Sequence, residues 1–405
     1  MLDAKGLAWV IKEWLWELLI GTGKMFIHPL FYYLIILAGI IGVSRVKRER
    51  KNFHIRVEDA FFELRQLLPL GIVIGLAISL VTLAAGTVIP FAAVILTAVF
   101  TLLWSLTTRV RLLGPAFTVG AAFFALIFLA GQDWSLPVFS EEFADLQDTI
   151  FPGIAVLLAI LLIGEGILIR RNGIKGTSPK LIKSKRGLTV GVHEVKRLWM
   201  LPVFLIIPGD ALAPISWWPL FPGGDGQYSL FLVPFAAGFH QQVQGMLPKE
   251  AIRDLGNRVA VLGLVILIIA AAGYWYPIVS ITAVALAIIG REAITQSHRL
   301  KEGSLPFYFS KKNHGVMILG IIPESPANKM ALQVGELITK VNGKSIHDEK
   351  SFYEALQRNR AHCKLEVLDT SGQIRFVQRA LYEGDHHELG ILFVQDEKTW
   401  GSEAV

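Results

Sequence analysis

Two short strings in this chain hold residues that could do chemistry. His193 and Glu194 open "HEVKR" at 193–197, and His386, His387 and Glu388 sit together in "GDHHELG". A zinc hydrolase needs two histidines one helical turn apart, with a glutamate general base between them, as His-Glu-x-x-His. The first string has Arg197 where the second ligand would stand, and it lies in a basic loop. In the second string the histidines are adjacent, so a strand would point them to opposite sides. The chain has no Walker loop, dinucleotide glycine fingerprint or Gly-x-Ser-x-Gly elbow. The expectation is a protein that is no enzyme and takes no metal and no cofactor. Two acids in apolar stretches raise a different chemistry: Glu165 in "IGEGIL" and Asp210 in "IIPGDALAP". Intramembrane acids are costly and often mark ion paths. A transporter is therefore the rival reading. The plainer one pairs Glu165 with Arg170 and places Asp210 in an outer loop or a re-entrant break.

Composition decides where these residues sit. Of 405 residues, 53% are apolar and only 18% charged, against roughly 45–50% and 25% in soluble domains. The surplus is concentrated in runs that approach the roughly 20 residues needed to cross a bilayer. They fall at 26–43, 67–87, 90–106, 112–130, 150–169, 199–219, 229–245, 258–273 and 276–291. We expect an α-helical polytopic membrane domain of eight or nine transmembrane helices. Within 259–290 the central "GYWYP" predicts a tight helical hairpin, since one helix of that length would reach about 48 Å against a core of about 30 Å. Loops 44–65 and 170–197 are rich in Lys and Arg, whereas 131–148 has five acids and no base. Bias of that kind puts basic loops on the cytoplasmic side. It also attracts anionic membrane lipid, and nothing in it calls for nucleic acid. Residues 1–24 carry Trp9, Trp14 and Trp16 beside charged residues. They predict no cleavable signal peptide but an amphipathic helix in the interface, with a poor first crossing as the alternative. The single cysteine, Cys363, rules out an internal disulfide and reads as a small strand residue.

The last hundred residues read differently. After the membrane domain at 25–295 and a linker at 296–306 marked by Gly303 and Pro306, period-2 alternation appears in "HGVMILGII", "GELITKVNG", "CKLEVLD" and "QIRFVQRAL". Asn342-Gly343 is a two-residue hairpin turn signal. Asp348 caps a helix that places Phe352, Ala355 and Leu356 on one face. The expectation for 307–396 is a small α/β domain, a partly open β-barrel with one principal helix, followed by a flexible tail at 397–405.

The string "GVMILGIIPESPANKMALQVGELITKVNGKSI" resembles the core of a bacterial PDZ domain. It has a strand, a Pro-x-Ser-Pro-Ala turn opening a short helix, then a Leu-x-x-Gly-Asp-x-Ile-x-x-Val-Asn-Gly pattern. Ala331 replaces the usual glycine, and Glu336 the usual aspartate. The carboxylate-binding loop of the family normally precedes this core. Here "HHELGILFV" follows it, so the resemblance implies a circular permutation. It places the peptide groove between Leu389, Gly390, Ile391 and Leu392 on one side and Phe352, Ala355 and Leu356 on the other. Such a groove takes a peptide as an added strand. The terminal Val405, in "EKTWGSEAV", is itself a fitting occupant, which would give autoinhibition or a homo-oligomer.

A multi-pass domain joined to a cytoplasmic C-terminal PDZ domain is similar in layout to the MinJ family, the division-site (Min system) topology factors of Gram-positive bacteria. That resemblance implies an adaptor at septum and poles. Its implied partners are a DivIVA-like polar scaffold and a MinD-like ATPase with its partner MinC, an inhibitor of FtsZ assembly.

Overall fold

The computed structural model describes residues 4–130, 151–213, 227–359, 362–380 and 389–394, with side chains from residue 11 onward. The acidic loop 131–148, the paired histidines His386 and His387, and the tail with Val405 lie outside them.

The chain opens with α1 (Ala4–Ile27), α2 (Pro29–Phe53), α3 (Phe62–Leu67), α4 (Pro69–Ala85), α5 (Phe91–Leu106), α6 (Pro115–Ala130) and α7 (Phe151–Arg171). Strands β1 (Ser178–Lys183), β2 (Thr189–Leu212) and β3 (Tyr228–Val243) follow, and then α8 (Pro248–Ala272) and α9 (Pro277–Ser304). Five described helical stretches are long and apolar enough to cross a bilayer: α2, α3 with α4, α7, α8 and α9. The protein is a multi-pass membrane protein. α7 is central and buried along almost its whole length, as expected for a helix apolar all round. α5 and α6, at 16 residues each, reach only about 24 Å. The expected hairpin within 259–290 is present, turning at 273–276 between α8 and α9.

The runs at 199–219 and 229–245 do not form the helices expected of them. Where described, they are the arms of an antiparallel β-hairpin, β2 with β3, in register from Leu198↔Gly238 to Ile207↔Ser229. The pairing extends to His193↔Val243 and Pro208↔Tyr228, and its apolar part, ten residues at about 3.3 Å each, is long enough to match a bilayer core. Both faces of each strand are buried. An apolar run with no alternation is therefore what this environment demands, and it looks the same as a spanning helix. Pro202 faces Pro234 across the hairpin, and neither could sit comfortably inside a helix.

A sheet edge inside a membrane must be satisfied by protein, and neighbouring helices reach both edges of this hairpin. On the β2 side the Phe204 N–H donates to Ser79 Oγ (2.8 Å), and Thr82 Oγ1 donates toward the Phe204 carbonyl (3.1 Å). The Ile89 N–H donates to the Ile206 carbonyl at 2.8 Å. Gly71 and Gly75 bring α4 this close: a Cβ on them would stand 2.0 Å from Met200 O and 2.3 Å from Pro202 O. On the β3 side the Leu230 N–H donates to Glu17 Oε1 (3.0 Å), and Lys24 Nζ donates to the Leu230 carbonyl (3.2 Å). The N-terminal helix α1 is thus fastened to the hairpin through a buried carboxylate.

The acids that suggested transport are accounted for. Glu165 does not reach Arg170; its Oε1 accepts from Arg291 Nη2 at 2.7 Å and Nε at 3.1 Å, both side chains being buried. Asp210 lies exposed near the end of β2. At the opposite end of the hairpin, Arg45 pairs with Glu49 and Glu63, and Arg197 with Glu63.

The C-terminal part contains β4 (Val316–Met317), β5 (Gly320–Ile321), α10 (Pro326–Lys329), β6 (Leu337–Val341), β7 (Lys344–Ser345), α11 (Glu349–Gln357), β8 (His362–Leu368), β9 (Ile374–Ala380) and β10 (Ile391–Leu392). One sheet runs β4-β6-β8-β9 with β7 on β6, and β10 pairs with β5. The Asn342-Gly343 turn has both residues at positive φ (50° and 82°), as a two-residue hairpin loop requires. Asp348 caps α11, accepting from the Ser351 N–H at 2.8 Å. The stretch 296–304, read as linker, is the last part of α9.

Candidate functional site

Alternation sorts the strand 389–394 into two faces. Leu389, Ile391 and Phe393 enter the core of the C-terminal domain with Phe352, Ala355 and Leu356. The rings of Phe352 and Phe393 meet edge-on at 5.1 Å. The structure therefore brings five of the seven groove candidates into one apolar cluster between strand and helix. Gly390 adjoins them as the turn residue. Leu392 points the other way, into a second cluster with Phe53, Val57, Phe309 and Leu319. Phe393 was missed from the sequence, although its place two residues beyond Ile391 is a period-2 signal.

Gly390 is held by two constraints. Its φ is +77°, and a Cβ there would fall 2.3 Å from Ser325 Cβ, beside the N-cap of α10. The Gly390 carbonyl accepts from the Ile322 N–H (2.8 Å), and the Leu389 carbonyl from the Ala327 N–H (2.9 Å). Strand β10 is thereby fixed antiparallel to β5, Ile391 opposite Ile321. Its other edge has no partner among the described strands. An unpaired edge beside an apolar helix face is the geometry of strand addition by a bound peptide.

The two departures from the PDZ pattern have separate consequences. Ala331 adopts φ +54°, a left-handed conformation that costs an L-residue roughly 1–2 kcal/mol. Glu336 has the extra reach to form a two-point contact with Arg375, at 2.9 and 2.7 Å. Cys363 is buried in β8, and burial pushes its thiol up to about 12, so it is inert at neutral pH.

The C-terminal domain is docked on the membrane domain. The Gly191 N–H donates to the Phe309 carbonyl, and the Tyr308 N–H to the Gln244 carbonyl, each at 2.8 Å. Glu302 Oε2 accepts from the N–H groups of Gln244 and Gly245, both at 2.7 Å. His193 is buried in this seam, with Nε2 2.9 Å from the Leu319 carbonyl and Nδ1 2.9 Å from Thr177 Oγ1. A carbonyl can only accept, so Nε2 carries the proton and Nδ1 accepts from the threonine hydroxyl. Burial pulls this imidazole down to about 4; the Leu319 hydrogen bond resists that shift, and the charge of Arg45 adds to it. Burial opposes ionisation of Glu194, but the His240 hydrogen bond and the charges of Arg48, His240 and Lys180 outweigh it and hold the carboxyl at about 2. Both residues of the suspected zinc string are committed to these contacts. Among the described residues no three His, Cys, Asp or Glu side chains gather as a metal would require.

The family model for PDZ domains matches residues 317–369, so the C-terminal module is a PDZ domain. The chain as a whole is 41% identical, over 388 residues, to the cell division topological determinant MinJ of Bacillus subtilis, covering 95% of this chain and 97% of that protein. A probable MinJ of Lacticaseibacillus paracasei is 21% identical over 88% of this chain and 92% of its own length. A mitochondrial serine protease HTRA2 of Drosophila ananassae matches 59 residues at 36% identity, 15% of this chain and 14% of its own. No solved structure matches. The chain belongs to the MinJ family of cell division topological determinants.

Proposed function

We propose that this protein is a Min-system adaptor that performs no chemistry. Its membrane domain anchors a cytoplasmic PDZ domain at septum and poles, where it links a DivIVA-like scaffold to a MinD-like ATPase and, through it, MinC. The family relationship over nearly the whole chain supports the setting. The observation that carries the mode of action is the edge of β10 that has no partner among the described strands. A peptide segment adds there as a strand, with its side chains against Ile391, Leu389 and the α11 face. Phe352 and Phe393 fill the space between strand and helix, so the bound segment shifts α11 outward. The basic loops 44–65 and 170–197, on this reading, lie on the same side as the PDZ domain. The Lys and Arg excess in both loops supports that orientation.

The test is partner capture by the full chain in detergent, comparing wild type with L389A/I391A. A micromolar peptide complex is worth about 8 kcal/mol, and truncating a buried anchor removes about 2–4 kcal/mol. Capture of the scaffold or the ATPase should fall at least tens-fold while the melting profile of the membrane domain is retained. Unchanged capture of both by a folded double variant would sink the groove reading. An even membrane stain from a fluorescent fusion in dividing cells would sink the placement at septum and poles.

A further inference from the structure

At one end of the helical body, an open cavity of about 660 Å³ lies between the start of α4, the end of α7 and the second turn of α8. Arg170, Arg171, Lys175 and Arg253 line it, and no Asp or Glu does so among the described residues. All four cationic side chains are exposed, and none has an ion-pair partner among the described residues. The buried and half-buried cations beside the hairpin are matched. Arg45 and Arg197 meet Glu49 and Glu63, and Arg48 and Lys180 meet Glu194. Four unmatched charges around one concavity repel one another, and an anion placed among them removes that repulsion.

The floor of the cavity is built from neutral polar groups. The Asn172 amide donates to Gln66 Oε1 at 2.7 Å and accepts from Trp199 Nε1 at 2.9 Å. Gln66 therefore faces Asn172 through its oxygen and keeps its N–H donors for an occupant. Leu70 and Ile174 supply half-buried apolar surface beside the charges. Three candidate spans converge here, Phe62–Ala85, Phe151–Arg171 and Pro248–Ala272. The site thus sits at the depth of lipid headgroups, with acyl chains able to run down the adjoining helices.

We propose that this cavity binds an anionic phospholipid through its phosphodiester group, with the arginines as the forked donors that suit phosphate oxygens. Each cation near a membrane surface contributes about five-fold in affinity, the equivalent of about 1 kcal/mol. Two removed charges should cost roughly twenty-five-fold.

The experiment is native mass spectrometry of the full chain in detergent, titrated with phosphatidylglycerol or phosphatidylcholine. The expected result is retention of phosphatidylglycerol alone and loss of that retention by well over ten-fold in R171Q/R253Q. The control K185Q/R186Q removes the same charge from exposed positions of the turn between β1 and β2 and should stay within about two-fold of wild type. These arginines are exposed, so equal melting temperatures are expected for all three proteins. Equal losses in the two variants would reduce the effect to general attraction and overturn the site. So would retention of both lipids alike. Displacement of the lipid by millimolar inorganic phosphate would reassign the cavity to a soluble anion, and preferential capture of an acidic peptide would reassign it to a protein partner.

Discussion

This molecule contains two antiparallel β structures that treat their edges in opposite ways. The β2–β3 hairpin lies within the helical body, and Ser79 and Thr82 bond its β2 edge at Phe204 while Glu17 and Lys24 bond its β3 edge at Leu230. The β10–β5 pair lies in the PDZ domain, and β10 has one edge without a partner among the described strands. An unsatisfied backbone group costs several kcal/mol in hydrocarbon but can be met by water outside it. The first sheet can serve only as scaffold, while an edge like that of β10 could accept the visiting strand proposed above.

The sharpest way to break that contrast is to pry the sealed edge apart. Gly75→Val places a side chain where even a Cβ would stand 2.3 Å from Pro202 O. α4 must then move away and strand the Phe204 N–H and carbonyl. The cost should exceed about 3 kcal/mol. The full chain should lose its cooperative melting transition in detergent, while a PDZ-only fragment is unaffected because it lacks the residue. A variant that melts with the wild type would show that the hairpin does not depend on α4.

A smaller effect is expected at the seam between the two sheets. His193 is neutral down to about pH 4 when docked but titrates near 6.5 when released. Between those values the undocked state binds more protons, so docking weakens as pH falls through this window and levels off below about 4. From pH 7 to pH 5 the loss should be about 2 kcal/mol. Protection of the seam amides of Gly191 and Tyr308 from hydrogen exchange measures it, and His193→Gln should flatten the pH response. A pH-independent exchange rate in the wild type would exclude His193 from the latch.

The smallest expected change is a gain within the PDZ domain. Ala331→Gly relieves the φ of +54° and should stabilise the domain by up to about 1 kcal/mol, net of the extra freedom glycine brings to the unfolded chain. Denaturant titration of the isolated domain, which contains the complete β4–β9 sheet, would detect it. A destabilised glycine variant would mean that the Ala331 methyl makes up for its backbone strain.

Local grammar was legible in the sequence wherever water faces the chain. Asn342-Gly343, the Asp348 cap and the strand 389–394 could be read because alternation and turn residues survive at a half-exposed surface. In the membrane that grammar vanishes. "LWMLPVFLII" is apolar at every position, and the strand it forms is covered on both faces, so neither period 2 nor period 3.6 shows. The prolines Pro202, Pro208 and Pro234 were the remaining warning. The Glu165–Arg291 pair joins residues 126 positions apart, beyond any local reading. Within the groove, spacing alone could bring Leu389 and Ile391 together with α11, but the outward turn of Leu392 depends on Phe53 and Phe309, which lie far away in sequence.

The short connection from α9 to the PDZ domain, fixed by Glu302 and Tyr308, has a kinetic consequence. A module on a slack tether samples all orientations, and each binding event must find the right one. Here the docked PDZ domain keeps a constant height and heading relative to the helical body. On the proposed function, a partner already moving along the membrane would meet it after a search in two dimensions with most of the rotational entropy already surrendered. Its peptide segment would then face the domain as an intramolecular ligand, so that weak individual contacts add up to long residence.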